Sequence, residues 1–300
     1  MTTGLVVMAY GTPASPQEIE GYYTHIRRGR PPSAEQLAEL TGRYQAIGGV
    51  SPLAERTRAQ VAALSGALGE GWRLELGNKH AAPFLEDAVA ALVGAGPGDR
   101  PDRLIGLVLA PHYSRGSVGE YHARAAAVAG EYGVPYTPVE SWHALPAWID
   151  AQAARVRSAL ATLPAATKVL FTAHSLPERV LEGDPYPDEL RASAAAIADR
   201  AALGRWDGWA LAWQSAGRTP EPWRGPDVAE VIRDLGATGR AAGVLVCPQG
   251  FVSDHLEVLY DLDIDARRVA AEAGLAFGRT ESINDDPAVM SALADLVRSV

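Results

Sequence analysis

Short apolar runs alternate with longer stretches of helical period from one end of the chain to the other. Residues 5–9, 104–110, 169–173, 209–213 and 244–247 are apolar or nearly so over lengths that suit strands covered on both faces, and Arg73-Leu74-Glu75-Leu76 reads as a strand by its alternation. Between them, residues 52–68, 85–93, 118–128 and 147–160 carry apolar positions at helical spacing. Helix starts are well marked. Ser15-Pro16-Gln17-Glu18 and Ser33-Ala34-Glu35-Gln36 predict capping boxes, while Ser51-Pro52 and Asp286-Pro287 pair a cap with a proline at the first helical position. Strand–helix alternation of this kind predicts an α/β protein whose parallel sheets are flanked by helices.

The two halves repeat one another in order. Val7-Met8-Ala9-Tyr10-Gly11-Thr12-Pro13 resembles Phe171-Thr172-Ala173-His174-Ser175-Leu176-Pro177, and Leu107-Val108-Leu109-Ala110-Pro111-His112 resembles Val244-Leu245-Val246-Cys247-Pro248-Gln249. Leu74-Glu75-Leu76-Gly77-Asn78 has its echo in Leu211-Ala212-Trp213-Gln214-Ser215. The expectation is two similar Rossmann-like lobes, residues 1–143 and 144–283, with a cleft between them and a final helix at 284–300 packing back on the first lobe. Ligands of open α/β sheets bind beyond the carboxyl ends of the strands, which puts Tyr10 and His174 at equivalent, candidate functional positions.

Composition narrows the classes. With 47% hydrophobic and 21% charged residues the 300-residue chain can bury a core, and its net charge of −9 argues against a nucleic-acid footprint. A single cysteine, Cys247, excludes an internal disulfide and a thiolate-only zinc or iron–sulfur site within one chain. The first residues read as a strand and not a signal peptide, and no stretch approaches the ~18–20 apolar residues of a membrane span. The expectation is a soluble cytoplasmic protein.

Several constellations carry chemistry. After the strand at 244–247, the chain runs through Asp254-His255-Leu256-Glu257 toward Asp261 and Asp265. On a regular helix Glu257, Asp261 and Asp265 stand at i, i+4 and i+8 and form one acidic stripe suited to a cation or proton path. Asp254 and Glu257 also have the spacing of a capping box, and His255 points elsewhere and bonds locally. His174 follows an apolar run directly, where imidazole can ligate a divalent metal or take a proton near neutral pH; a lone histidine is more often a satisfied structural residue. The basic segment Thr24-His25-Ile26-Arg27-Arg28-Gly29-Arg30 suits carboxylates or phosphates, with a solvated loop as its bland alternative. Further histidines end strands at Asn78-Lys79-His80 and Pro111-His112. No dinucleotide, Walker or nucleophile-elbow motif is present. Tryptophans 142, 148, 206, 209 and 213 read as core, and Trp223 in a proline-rich loop suits the wall of a flat ligand.

These segments resemble the ferrochelatase family along nearly the whole chain. The resemblance is carried by Tyr22-Tyr23-Thr24-His25-Ile26-Arg27-Arg28-Gly29-Arg30, Arg43-Tyr44-Gln45-Ala46-Ile47-Gly48-Gly49-Val50-Ser51-Pro52, His174-Ser175-Leu176-Pro177, Gly183-Asp184-Pro185-Tyr186, Trp213-Gln214-Ser215 and Gly250-Phe251-Val252-Ser253-Asp254-His255-Leu256-Glu257. It is nearest the soluble, monomeric bacterial branch that makes coproheme. The resemblance implies insertion of Fe2+ into coproporphyrin III with release of two protons. His174 and Glu257 match the catalytic pair and Tyr10 the tyrosine axial to iron. Arg27, Arg43, Tyr44, Ser51 and Tyr121 match positions that hold the tetrapyrrole, and Asp261 and Asp265 an outer metal path. Asp265 stands where some members carry Glu, which shortens its reach. It further implies no prosthetic group, no [2Fe–2S] cluster and no membrane-docking lip, with neighbouring heme-pathway enzymes as possible partners. Insertion into protoporphyrin IX, cobalt insertion into sirohydrochlorin, and a porphyrin or metal carrier without turnover are the alternatives.

Overall fold

The structure, a computed structural model, describes residues 2–94, 96, 100–204, 208–217 and 219–300; Trp206 lies outside the described residues. Two compact units account for the chain.

The first unit contains Met1–Trp142, Ser253–Leu256 and Asn284–Val300. It opens with β1 (Thr3–Ala9), a 3-10 turn (Pro16–Glu18), α1 (Ile19–Ile26), α2 (Ala34–Ala46) and α3 (Leu53–Leu68). It continues with β2 (Trp72–Asn78), α4 (Leu85–Val93), β3 (Arg103–Val108), α5 (Val118–Glu131) and β4 (Tyr136–Val139). The four strands are parallel, in the order β2-β1-β3-β4. Leu5, Val6, Val7 and Met8 are completely buried because helices cover both faces of β1. On one face Val6 and Met8 meet Leu85, Val89 and Leu92 of α4 and Val118 and Ala125 of α5, each such side chain contributing about 1.5–3 kcal/mol of burial.

The second unit contains His143–Val252 and Glu257–Ile283. Its elements are α6 (Pro146–Leu160), β5 (Thr167–His174), α7 (Glu178–Leu181), α8 (Tyr186–Arg200), β6 (Trp209–Gln214), α9 (Val228–Thr238) and β7 (Gly243–Cys247). After these come α10 (Leu256–Leu259), a π-helical segment (Asp261–Ala266), α11 (Arg267–Glu272) and β8 (Ala276–Arg279). The parallel order β6-β5-β7-β8 reproduces that of the first sheet, strand for strand. The turns after β2 and β6 fold alike: Asn78 N–H bonds Pro83 C=O at 2.8 Å, and Trp213 N–H bonds Pro226 C=O at 2.9 Å. The two lobes are therefore similar in architecture. Finally α12 (Pro287–Ser299) belongs to the first unit, where Arg298 donates to the last carbonyls of α3.

Two of the expected helix starts, at Ser33 and Asp286, form as capped starts, and at a third Pro52 rather than Ser51 takes the cap position of α3. Ser33 and Gln36 exchange both bonds of a capping box, at 3.2 and 3.0 Å. Ser51 Oγ takes the Leu53 amide, and Asp286 takes those of Ala288 and Val289. Ser15 differs: Pro16–Glu18 is only a 3-10 turn, so no amide reaches the Ser15 side chain, and its hydroxyl faces Glu18 instead. The strands β4 and β8 escape the pattern because both are short and partly exposed edges. Pro138 sits within β4, a place open to proline only at a sheet edge.

The regular acidic stripe is not what the chain builds. Asp265 N–H bonds Tyr260 C=O five residues back at 3.0 Å, and the segment widens into a π turn between α10 and α11. The apolar residues Val258, Leu262, Ala266, Val269 and Ala270 keep their seat in the core. The acidic side chains diverge: Asp265 turns to Arg268, 3.9 Å away, and Asp263 forms a forked pair with Arg279 at 2.7 and 2.9 Å.

Candidate active site

In the second unit, His174 is the last residue of β5 and Glu257 the second of α10. His174 Nδ1 lies 2.5 Å from Ser175 C=O. A carbonyl only accepts, so Nδ1 carries the proton and Nε2 holds the lone pair. Nε2 faces Glu257 Oε1 at 3.6 Å, with both side chains about one-third exposed. That separation is too long for a hydrogen bond. An ion about 2.1 Å from each atom subtends roughly 118°, within the range of a tetrahedral or five-coordinate divalent metal.

The end of β6 holds this pair in place. Gln214 stands in register with His174, its carbonyl accepts the Ser175 amide at 2.8 Å, and its side-chain amide donates to Glu257 C=O at 3.2 Å. Gln214 is only 1% exposed, and its Oε1 has no partner. The next residue, Ser215, adopts a left-handed backbone (φ 59°) and donates its hydroxyl to Asp261 at 2.5 Å. Strain of that kind gathers at functional sites. Gly250 is also required here: a Cβ would come within 2.5 Å of the Ala173 side chain and 2.8 Å of its Cα, so only glycine lets the loop after β7 lie on β5 beside His174. Behind the pair, the Tyr186 hydroxyl contacts His174 C=O at 3.4 Å; burial, then the Glu257 and Asp184 charges, push its pKa up and keep it protonated.

Asp254, the partner of Glu257 in the expected cap, is engaged with Asn284, which donates to its carboxylate at 3.3 Å. His255 bonds Ser253 C=O locally, as its spacing predicts. Asp261 accepts the Ser215 hydroxyl and Asp265 faces Arg268; among the described residues no three His, Cys, Asp or Glu side chains gather in metal-holding geometry. Trp223 donates to Thr219 and packs over Gly217. A cavity of about 620 Å³ in this unit, lined by Glu178, Arg179, Asp184, Asp188, Arg191 and Arg224, includes neither His174 nor Glu257.

In the first unit, Tyr10 follows β1 and is 45% exposed. Its ring rests on His80, with centroids 4.6 Å apart. Burial, then Lys79 and His25, lower the His80 pKa to about 4. Tyr121 is a buried core residue under the Lys79 ammonium, and burial holds its phenol well above the usual value. Tyr44 is buried with its hydroxyl 3.3 Å from Thr12, and Ser51 lies buried at the start of α3. Arg27 and Arg43 are half-buried: Arg27 lies over Tyr23 and bonds Arg30 C=O, and Arg43 pairs with Glu39 at 3.1 Å. Sequence reasoning did not pair His25 with His80, Arg124 with Glu86 or Asp263 with Arg279, and it gave Gln214 and Ser215 no role. Their placement comes from sheet register and long-range packing, which no local pattern displays.

The architecture recurs in solved structures. CbiX, described as the terminal enzyme for siroheme biosynthesis in denitrifying bacteria, matches with a TM-score of 0.57 at 17% identity, covering 99% of both chains. SirB from Bacillus subtilis, solved with Fe3+, matches with a TM-score of 0.58 at 14% identity, over 100% of this chain and 95% of that one. By fold, then, this is a two-lobed α/β protein of the architecture seen in those two structures. The ferrochelatase family model matches residues 2–300. A coproporphyrin III ferrochelatase of Geobacillus kaustophilus is 44% identical across 99% of this chain and 95% of its own length. The protein of that name from Bacillus subtilis is 43% identical across 98% and 96%. The chain belongs to the ferrochelatase family.

Proposed function

We propose that this chain inserts Fe2+ into coproporphyrin III, releasing two protons and giving coproheme in heme biosynthesis. The observation that carries the reading is the geometry of His174, whose Nδ1 is committed to Ser175 and whose Nε2 lone pair faces the Glu257 carboxylate at 3.6 Å. The family and the names of its relatives at 43–44% identity support it.

Metal insertion must strip water from Fe2+ and remove both pyrrole N–H protons. A neutral imidazole and a carboxylate suit a borderline divalent ion, and each can accept a proton as the metal passes to the ring nitrogens. A flat macrocycle hides those nitrogens, and buckling it costs on the order of 1–5 kcal/mol, met by binding energy elsewhere on the substrate. Arg27 and Arg43 would provide it through the propionates, with Tyr44, Ser51 and Tyr121 shaping that side. Tyr10 is the axial residue, Asp261 an approach step for the ion, and Asp265 the weakest member of that path.

The same reading gives a monomeric cytoplasmic enzyme without a prosthetic group. Cys247 is fully buried and its thiol is pushed up to about 12 by burial, a poor start for a cluster ligand. No described helix is long and apolar enough to cross a membrane.

The deciding experiment is anaerobic turnover with Fe2+ on coproporphyrin III and protoporphyrin IX. The expected kcat/KM is at least about tenfold higher on coproporphyrin, whose two additional carboxylates the arginines would sense. Equal rates would remove the preference, and stoichiometric binding without turnover would make the chain a carrier. Activity confined to Co2+ and sirohydrochlorin would select the cobalt reading.

A further inference from the structure

We propose that His25 and His80 form a divalent-metal clip of their own, built wholly within the first unit and sharing no residue with His174 and Glu257. The backbone brings them together: His25 lies in the last turn of α1, and the loop after β2 is held by Lys79 and His80 amides donating to Ala9 and Tyr10 carbonyls at 2.9 and 3.0 Å. Both rings are oriented before any ligand arrives. His25 stacks on Phe84 with centroids 5.3 Å apart at 29°, meets His80 edge-on at 5.2 Å and 77°, and His80 in turn carries Tyr10.

The two Nδ1 atoms face each other across 3.0 Å. A shared proton explains that contact in the metal-free protein, one Nδ1–H donating to the other nitrogen. The same distance is also the bite of a chelate. With metal–nitrogen bonds of about 2.0–2.1 Å, it gives an N–metal–N angle of roughly 90–97°. That is the cis angle of tetragonal Cu2+ or Ni2+, whereas a tetrahedral ion needs the nitrogens about 3.3 Å apart. On binding, the donating ring moves its proton from Nδ1 to Nε2, so two neutral imidazoles take the ion with no net proton released. Water fills the remaining positions. Imidazole pairs rank Cu2+ above Ni2+ and both above Fe2+. The clip is therefore a binding place for metals that compete with Fe2+, next to the ring of Tyr10.

The test is a Cu2+ titration, read by calorimetry and low-temperature electron paramagnetic resonance, on the full chain carrying His174→Ala and Glu257→Gln. One equivalent should remain bound, with hyperfine coupling to two nitrogens. Adding His25→Gln should weaken it at least tenfold and leave one nitrogen coupled, His80→Gln should do the same, and His143→Gln, at a histidine of the second unit that pairs with Glu189 at 3.2 Å, should change neither. His25 is exposed, so its variant keeps the fold even where His80→Gln does not, which circular dichroism will show. An affinity unmoved by His25→Gln, coupling to one nitrogen in the parent, or no equivalent retained there would each overturn the clip.

Discussion

One imidazole ring divides its labour at His174. The Nδ1–H bond to Ser175 fixes the tautomer and the ring's direction, and Nε2 is left to act. Replacing the ring should therefore remove the chemistry and spare substrate binding. His174→Ala is expected to lower the rate of Fe2+ insertion by about 10²–10⁴-fold, the usual worth of a positioned acid–base group. Coproporphyrin affinity, read by fluorescence quenching, should stay within about twofold, since the proposed propionate side at Arg27 and Arg43 is untouched. Retained turnover would take His174 out of the mechanism. The position of His174, Tyr10 and Glu257 at strand and helix ends was legible in the sequence, because apolar runs show where strands stop. The tautomer was not, for it depends on a carbonyl whose direction is set by the turn after β5.

The device that holds Glu257 belongs to an element, the end of β6, and it is less visible still. Gln214 sits inside a strand that reads simply as Trp209-Ala210-Leu211-Ala212-Trp213-Gln214, yet register with His174 makes it the tie between β5 and α10. Its unpartnered buried Oε1 marks a cost to the fold of about 1–3 kcal/mol. Gln214→Met keeps the length, removes that unsatisfied acceptor and cuts the tie to Glu257. Stability in guanidinium should stay within about 1 kcal/mol of the parent, because removing the unsatisfied Oε1 offsets the loss of the donor to the Glu257 carbonyl. If Glu257 acts as proposed, turnover should fall about tenfold with KM unchanged, since a small shift of a reacting group is costly and Gln214 is not among the residues proposed to hold the propionates. A parallel loss of stability and activity would make Gln214 merely structural. The π turn escaped the pattern for a related reason. Its apolar residues, Val258, Leu262 and Ala266, keep α-helical spacing, so the sequence promised a straight acidic row while a five-residue hydrogen bond redirects Asp265 to Arg268.

At the scale of the whole molecule, the two similar parallel-sheet lobes were legible because buried parallel strands need apolar runs and the inner strands supply them, whereas the strand order within each sheet came only from the structure. What such a core conceals is its polar wiring. His122, 7% exposed on α5, contacts the Tyr136 hydroxyl through Nδ1 at 2.7 Å and Val139 C=O through Nε2 at 3.1 Å, pinning the edge strand β4 to the first sheet's helix. Burial lowers its pKa from 6.5 to about 4, only partly offset by the Val139 bond. Between those values the unfolded chain binds a proton there that the folded one refuses. Stability from this residue is thus full above pH 6.5 and declines as pH falls toward 4, by on the order of 3 kcal/mol. His80 is lowered to about 4 as well, but it is only partly buried and solvent screening reduces its share. Guanidinium unfolding at several values between pH 7.5 and 4.5 should show the parent losing stability on acidification more steeply than His122→Gln. The variant starts lower, because Tyr136 and Val139 lose a well-placed partner, and the two curves converge toward pH 4. Curves that remain parallel across that window would mean His122 titrates as an ordinary surface imidazole and that the wiring of β4 lies elsewhere.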